Sequence, residues 1–431
     1  MQAFLDQCID YSSCGYRGGG VPLPISADEA HTIVLSSSPE PQDDTPRLQA
    51  ALDRAAGLAK AEGAVVLLQP GIYRLDGSLR FSKPNVRLVG QVSSAGGEGA
   101  ILHVHGPPRT LVTLTGSASK PRTDSKRERS VSLPLQVGAT SVTVPGHDLR
   151  AGESLLLRRP CTARFVAKLG MDTLSRHGEK QTWLCPSTHT FFYDREIVKV
   201  QGDTLFLDTG LPESIDDPTF AAPYTFPGRL TGVGLARLTF HYMDATKYST
   251  SLKEPQMVLV SVHAAADCFL THLVTHNFFS GVSIDLWSKR ISVQSCHFHH
   301  TMGANATDRG LPAEISISGS QLLIKDCRTT GKAWETFCVC TQARCMGPNA
   351  IVHYTADGAR HIISPHQRWA TGLLMDACAL QNISLMNRGV MGSGHGWTAA
   401  FCIFRCAFEN SGNMLRRHRH RLAVSMWQYA D

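Results

Sequence analysis

Short apolar strands recur along the C-terminal half of this chain at a nearly constant spacing, with no helical pattern between them. The segments 234–240, 291–298 and 322–327 each alternate apolar and polar residues and run into a small turn. Cys268, Cys296 and Cys327 follow one another at intervals of 28 and 31 residues. One such strand cannot bury its apolar face alone, but stacked copies bury a continuous core, so a repeat of this length without helices predicts coils of β-strand. The expected fold is all-β, a right-handed parallel β-helix (a solenoid), with an N-terminal capping helix and a β-rich insertion.

The first coils follow from local signals. Asp43-Asp44-Thr45-Pro46 opens a helix, with Thr45 placed to cap it and Pro46 suited to its first turn. Leu48, Leu52, Ala55 and Ala59 then share one face until Gly63. An Ala/Leu stripe on a short helix is what the open end of an apolar solenoid needs over it. Strands of three to five residues follow at 65–68, 72–75, 79–81 and 86–90, separated by Gly, Pro, Asn and Ser. The polar, basic segment 117–130 reads as an exposed loop, and the strand signals at 141–144, 154–157, 196–200 and 205–207 as an insertion packed beside the solenoid. The organisation is thus an extension over 1–42, first coils over 43–117, the insertion over 118–230, the main solenoid over 231–408 and a basic tail over 409–431.

With 42% apolar and 18% charged residues, a large core is attainable and disorder is excluded as a description of the chain. A net charge of +6 suits an acidic polymer better than it argues for nucleic acid. No apolar run reaches membrane-spanning length, and Met1 to Ile9 is too short and polar for a signal peptide. The thirteen cysteines lack the spacing of a disulfide scaffold. Cys296, Cys327, Cys338, Cys340, Cys378 and Cys402 fall in strands and are expected as buried thiols. Pairing among Cys8, Cys14, Cys161 and Cys185 stays open.

The run from Asp43-Asp44-Thr45 through Gln69-Pro70-Gly71-Ile72-Tyr73 to Val86-Arg87-Leu88-Val89-Gly90 resembles the start of pectate-lyase-superfamily, rhamnogalacturonase/epimerase-like β-helix proteins. Asp10 to Gly20, Gly347-Pro348-Asn349, His366 to Gly372 and Asn387 to Trp397 resemble blocks of an uncharacterised pectate-lyase-like subgroup. The resemblance covers roughly residues 10–400 and fades beyond Phe401. It implies a secreted, extracellular protein that handles a polysaccharide, and an incomplete N-terminus here. The subgroup has no settled activity.

The densest polar constellation lies between Ser364 and Trp397. Cleaving a uronate polymer by β-elimination requires a cation on the carboxylate, a base for the C5 proton and an acid for the departing oxygen. Arg368 and Arg388 offer forked donors for a carboxylate, and His366 and His395 titrate near neutrality, so these four are the candidate catalytic residues. Trp369 and Trp397 offer sugar-stacking faces. Asp376, Asn387 and Asn349 complete the candidate substrate-binding set, and Gly392, Gly394 and Gly396 would let backbone approach a ligand. Each side chain also has a structural reading, as a turn-holding or core-edge group.

Gly394-His395-Gly396 resembles a piece of polygalacturonases, but those hydrolases need paired carboxylates. Asp376 is the only acid between Asp357 and Glu409. A polysaccharide lyase is therefore the first reading, with a glycoside hydrolase and a non-catalytic glycan-binding or structural β-helix as alternatives. No metal site is expected: in a strand, His297 and His299 share a face from which His300 turns away. Cofactors are not expected, although scattered aspartates leave Ca2+ open. The five histidines from His272 to His300 form either a second subsite wall or a surface ladder. Partners are expected to be an acidic polysaccharide, with no nucleic acid or membrane; the oligomeric state is not legible.

Overall fold

The structure is a computed structural model that describes residues 9–39, 42–60, 62–92, 99–248, 254–301, 312–331, 336–357, 361–380, 382–383, 387–391, 394–408 and 423–425. The basic run Arg416 to Arg421, together with Cys8, Gly392 and Ser393, lies outside them. The chain winds a right-handed parallel β-helix whose coils have three strand faces. Face one stacks Ala64–Leu68, Val86–Gly90, the first halves of Gly234–Tyr242 and Ala265–His276, then Lys289–Gln294, Leu322–Lys325 and Met346–Val352. Face two carries Gly71–Leu75, Ala100–Val104, His297–His300 and Arg328–Gly331. Face three runs from Leu79–Phe81 through Thr110–Thr115, Val258–His263, Ser280–Ile284, Ala313–Ile317 and Thr336–Thr341 to His361–Pro365. Among the described residues no helix is long and apolar enough to cross a membrane.

Pairing in register sets everything else. Inward positions stack like on like, so Leu270, Val293, Ile324 and Ile351 form one aliphatic column. Cysteine serves as a small apolar residue in the same core, and the six strand cysteines are buried free thiols. Cys14, Cys161 and Cys185 are also free.

Corners between faces one and two repeat as well. Arg237, His272, Ser295, Asp326, His353 and Ala377 occupy equivalent positions, all with φ between 49° and 58°. A left-handed non-glycine residue costs about 1–2 kcal/mol. Here each turn is held by the next coil: Ser295 N–H donates to the Lys325 carbonyl at 2.9 Å, Asp326 N–H to Val352 at 3.0 Å and His353 N–H to Asp376 at 2.9 Å.

Helix Thr45–Leu58 covers the first coil with Leu48, Ala51, Leu52 and Ala55. It ends before Gly63, and its N-cap is Asp44 rather than Thr45. Thr45 instead accepts from Gly77 N–H at 3.0 Å, tying the helix to the first coil. Residues 9–31 lie outside face one, where Tyr16 packs edge-on against Phe269 and its N–H donates to Ser292 Oγ.

The chain leaves face three after Thr115 and re-enters at Leu230, building an antiparallel sheet with its own core in between. Segment 117–130 is largely exposed but is not a free loop. Arg122–Thr123 and Arg129–Ser130 pair with Phe220–Thr225, and Arg127 binds Asp148 and Glu153.

One buried carboxylate joins insertion to solenoid. Glu213 accepts from Tyr193 Oη at 2.7 Å, from Arg159 Nη2 at 3.3 Å and, across the interface, from Trp369 Nε1 at 2.9 Å. Removing one partner of a buried ion pair strands the other, at about 3–5 kcal/mol. Glu213→Ala should lower the urea midpoint accordingly. Asp216→Ala, which breaks only exposed pairs to Arg164 and Lys168, should change stability by less than about 1 kcal/mol.

Candidate functional site

The corner between faces three and one brings four expected residues together in the last coils. Backbone bonds stack the turns: Arg344 N–H donates to the Arg368 carbonyl at 3.0 Å, and Arg368 N–H to His395 at 3.0 Å. Arg388 N–H donates to the Gly396 carbonyl at 2.8 Å. The His366 and His395 rings lie 4.8 Å apart, and Arg368 Nε reaches the Gly394 carbonyl at 3.4 Å. All four side chains are half-buried.

Two further residues, an arginine and a histidine missed in the sequence, complete the corner. Arg344 sits one coil before Arg368, and its Nη1 donates to Thr190 of the insertion at 3.1 Å, while its buried Nε has no partner. His189 comes from the insertion, with its Nδ1 accepting from Cys185 N–H at 2.7 Å. The repeat spacing could have exposed Arg344; nothing in the sequence marks His189.

Electrostatics follow from crowding like charges. Burial, then His395, Arg388 and Arg368, lowers the His366 pKa to about 4. His395 is lowered by burial and both arginines, and His189 by burial, Arg344 and Arg368. Burial also lowers Arg344 and Arg388. Among the described residues no carboxylate stands within ion-pair distance of Arg344 or Arg368. The corner is thus cationic, with neutral imidazoles beside guanidinium groups. That combination can hold an anion and move a proton.

Other expected residues have structural tasks. Trp369 is only 4% exposed, and with φ of 68° it turns into the insertion's core against Phe165 and Trp183, so it offers no face to a sugar. Asn349 is buried and bridges coils, accepting from Leu322 N–H at 2.9 Å and donating to the Gly319 carbonyl at 3.0 Å. Asn387 accepts from Gly389 N–H and pairs with Trp397, whose carbonyl accepts from Trp183 Nε1 at 3.2 Å. Asp376 lies well along face one, opposite Val352 and Arg405, away from the corner. Gly396 is required by packing rather than by a ligand, because a Cβ there would collide with Trp183. Among the described residues no three His, Cys, Asp or Glu groups converge on a metal-sized point.

The histidines of face two form a ladder. His103, His241, His276 and His299 stand in register on consecutive coils, with ring centroids 5.6, 4.1 and 5.3 Å apart. His300 turns inward to Glu314 at 2.6 Å.

No protein-family model matches this chain, and no curated protein is similar to it in sequence. Among solved structures it resembles gp49, the tailspike protein of Pseudomonas phage LKA1, at 12% identity and TM-score 0.42, covering 79% of this chain and 53% of that one. A tailspike double mutant of E. coli bacteriophage HK620 in complex with pentasaccharide gives 9% identity and TM-score 0.42, covering 89% and 47%. The gp54 tailspike of Acinetobacter baumannii bacteriophage AP22, in complex with a capsular saccharide, gives 9% and 0.27, covering 85% and 64%. The chain spans about half the length of the first two. The pectate-lyase resemblance therefore continues to rest on the sequence blocks alone.

Burial first, and then neighbouring histidines and, for His297 and His366, arginines, depress His276, His297 and His366, each to about 4 from an ordinary 6.5. Between those pH values the unfolded chain binds protons that the folded chain refuses, so stability is full above about pH 6.5 and declines toward pH 4. The denaturant midpoint should fall between pH 7.5 and pH 4.5, and His276→Asn should flatten that decline. A midpoint that rises on acidification would contradict the depressed values of these three histidines.

Proposed function

We propose that this β-helix is an extracellular carbohydrate-active lyase acting on a uronate-containing polysaccharide at the Arg344–Arg368–Arg388 corner. One observation carries the reading: guanidinium groups crowd beside two adjoining imidazoles, and among the described residues no carboxylate stands within ion-pair distance of Arg344 or Arg368. An anion supplied from outside is what such a corner lacks. The saccharides named with two of the solved tailspikes agree with a glycan partner.

In the proposed step Arg368 or Arg388 binds the uronate carboxylate through its planar fork, with Arg344 adding charge. Neutralising the carboxylate acidifies the C5 proton. An imidazole, His366 or His395, takes that proton. The C5–H electron pair becomes the C4=C5 double bond, the C4–O bond breaks, and the imidazolium returns its proton to the departing oxygen. A depressed pKa makes the imidazole a weak base, but its imidazolium a strong donor to the leaving group. No cofactor or Ca2+ enters this balance. Among the described residues no pair of carboxylates of the kind hydrolysis would rest on stands beside Arg344 and Arg368.

Incubation with acidic polysaccharides should generate the ultraviolet absorbance of the unsaturated product. Alanine at the acting histidine, His366 or His395, should lower kcat by roughly two to four orders of magnitude. Arg368→Lys keeps charge but loses the fork, and should weaken turnover. Reducing ends without that absorbance would establish a hydrolase instead, and binding without turnover a glycan-binding protein. Wild-type turnover in both His366→Ala and His395→Ala would move the chemistry elsewhere.

A further inference from the structure

Insertion and solenoid also enclose a cleft of about 1040 Å³ that shares no residue with the cationic corner. Its solenoid wall is formed by Asp267, Lys289 and Arg290, and its insertion wall by Glu196, Tyr224 and Phe226. What distinguishes it is internal neutrality. Arg290 forks onto Asp267 at 2.8 and 2.9 Å and reaches Glu196 at 2.6 Å. Lys289, buried beneath, bonds Asp194 at 2.8 Å and Glu196 at 3.2 Å. Arg229 bonds Asp194 at 3.1 Å and the Trp287 carbonyl at 2.6 Å. At the rim, Arg127 is held by Asp148 and Glu153.

Each of these charges has a partner inside the protein. A polyanion entering the cleft would meet Glu196, Asp267, Asp124 and Glu153, and a polycation would meet the arginines. Apart from Arg122, an exposed lining residue, either would have to break partly buried pairs to gain a contact. A lipid would desolvate the same groups with nothing in return. Hydroxyl groups fit without that loss: they donate to the carboxylate lone pairs that the cations leave open and accept from guanidinium edges. The Arg229 side chain is only 9% exposed, lines the cleft, and its Nε has no partner. Phe226 is half-exposed, with Arg229 stacked at 4.9 Å, and adds a planar apolar surface of the kind a sugar ring covers.

We infer that the cleft between insertion and solenoid binds an uncharged oligosaccharide, with Phe226 against a sugar ring and Arg229, Glu196 and Asp267 on its hydroxyls. This site is independent of the reaction proposed at the corner, since neither its residues nor its ligand charge are shared.

Calorimetric titration of the full chain with uncharged cello-, malto-, manno- and galacto-oligosaccharides tests it. At least one should bind. Thr225→Trp, which plugs the cleft from an exposed lining position, should weaken that binding at least tenfold without moving the thermal midpoint. Phe226→Ala should weaken it similarly, and Arg368→Lys should leave it unchanged. Binding by no neutral oligosaccharide, binding that survives Thr225→Trp, or binding that is lost in Arg368→Lys would overturn the inference. Turnover of a uronate polymer is read separately and bears only on the corner.

Discussion

Parallel register between coils is the constraint on which the rest of this molecule depends. Because every strand pairs position for position with the next, a residue type chosen once is presented repeatedly along the axis. Inside, that repetition makes aliphatic and thiol columns. At the corners it makes a row of left-handed residues whose N–H groups are satisfied by the following coil. Outside, it places like beside like at a spacing of about 5 Å. For charged groups that arrangement is repulsive unless something removes the charge.

The two polar rows answer that repulsion differently. On face two burial strips the proton from His276, whose ring then stacks on His241 at 4.1 Å without adding a charge to the row. At the corner between faces three and one the arginines cannot do so, because guanidinium stays protonated in proteins. Arg344 and Arg368 instead occupy adjoining turns one coil apart, where each raises the cost of the other's charge. Two neighbouring cations with no carboxylate in ion-pair distance among the described residues are tolerable in solvent and favourable once an anion lies across them. The insertion sharpens the effect by closing one side of the corner with His189 and Thr190, and it is fixed there through Glu213 and Trp369.

Much of this was legible in the sequence, and what was not has identifiable causes. Strand existence, the covering helix, the inserted sheet and the coil repeat follow from alternation, turn residues and cysteine spacing. His366, Arg368, Arg388 and His395 assemble because turns one coil apart must adjoin. Trp369 is the instructive failure. Consecutive left-handed residues at Arg368 and Trp369 send neighbours in opposite directions, one to the surface and one into the insertion's core. No residue type announces that conformation, since neither is glycine. Asn349 and Gly396 mislead for a related reason: amide ladders and close packing against Trp183 demand the same residues that a binding site would. His189 and the neutral cleft depend on how the insertion docks, which strand periodicity does not encode.

Hydroxyl-radical footprinting with a bound polyuronate tests the central claim, that the cationic corner is where an acidic glycan lies. Protection is predicted at 342–344, 366–368 and 394–397 of the solenoid and at 187–190 of the insertion, with the face-two histidines unchanged. Protection confined to the histidine ladder, or a corner equally reactive with and without the polymer, would contradict it.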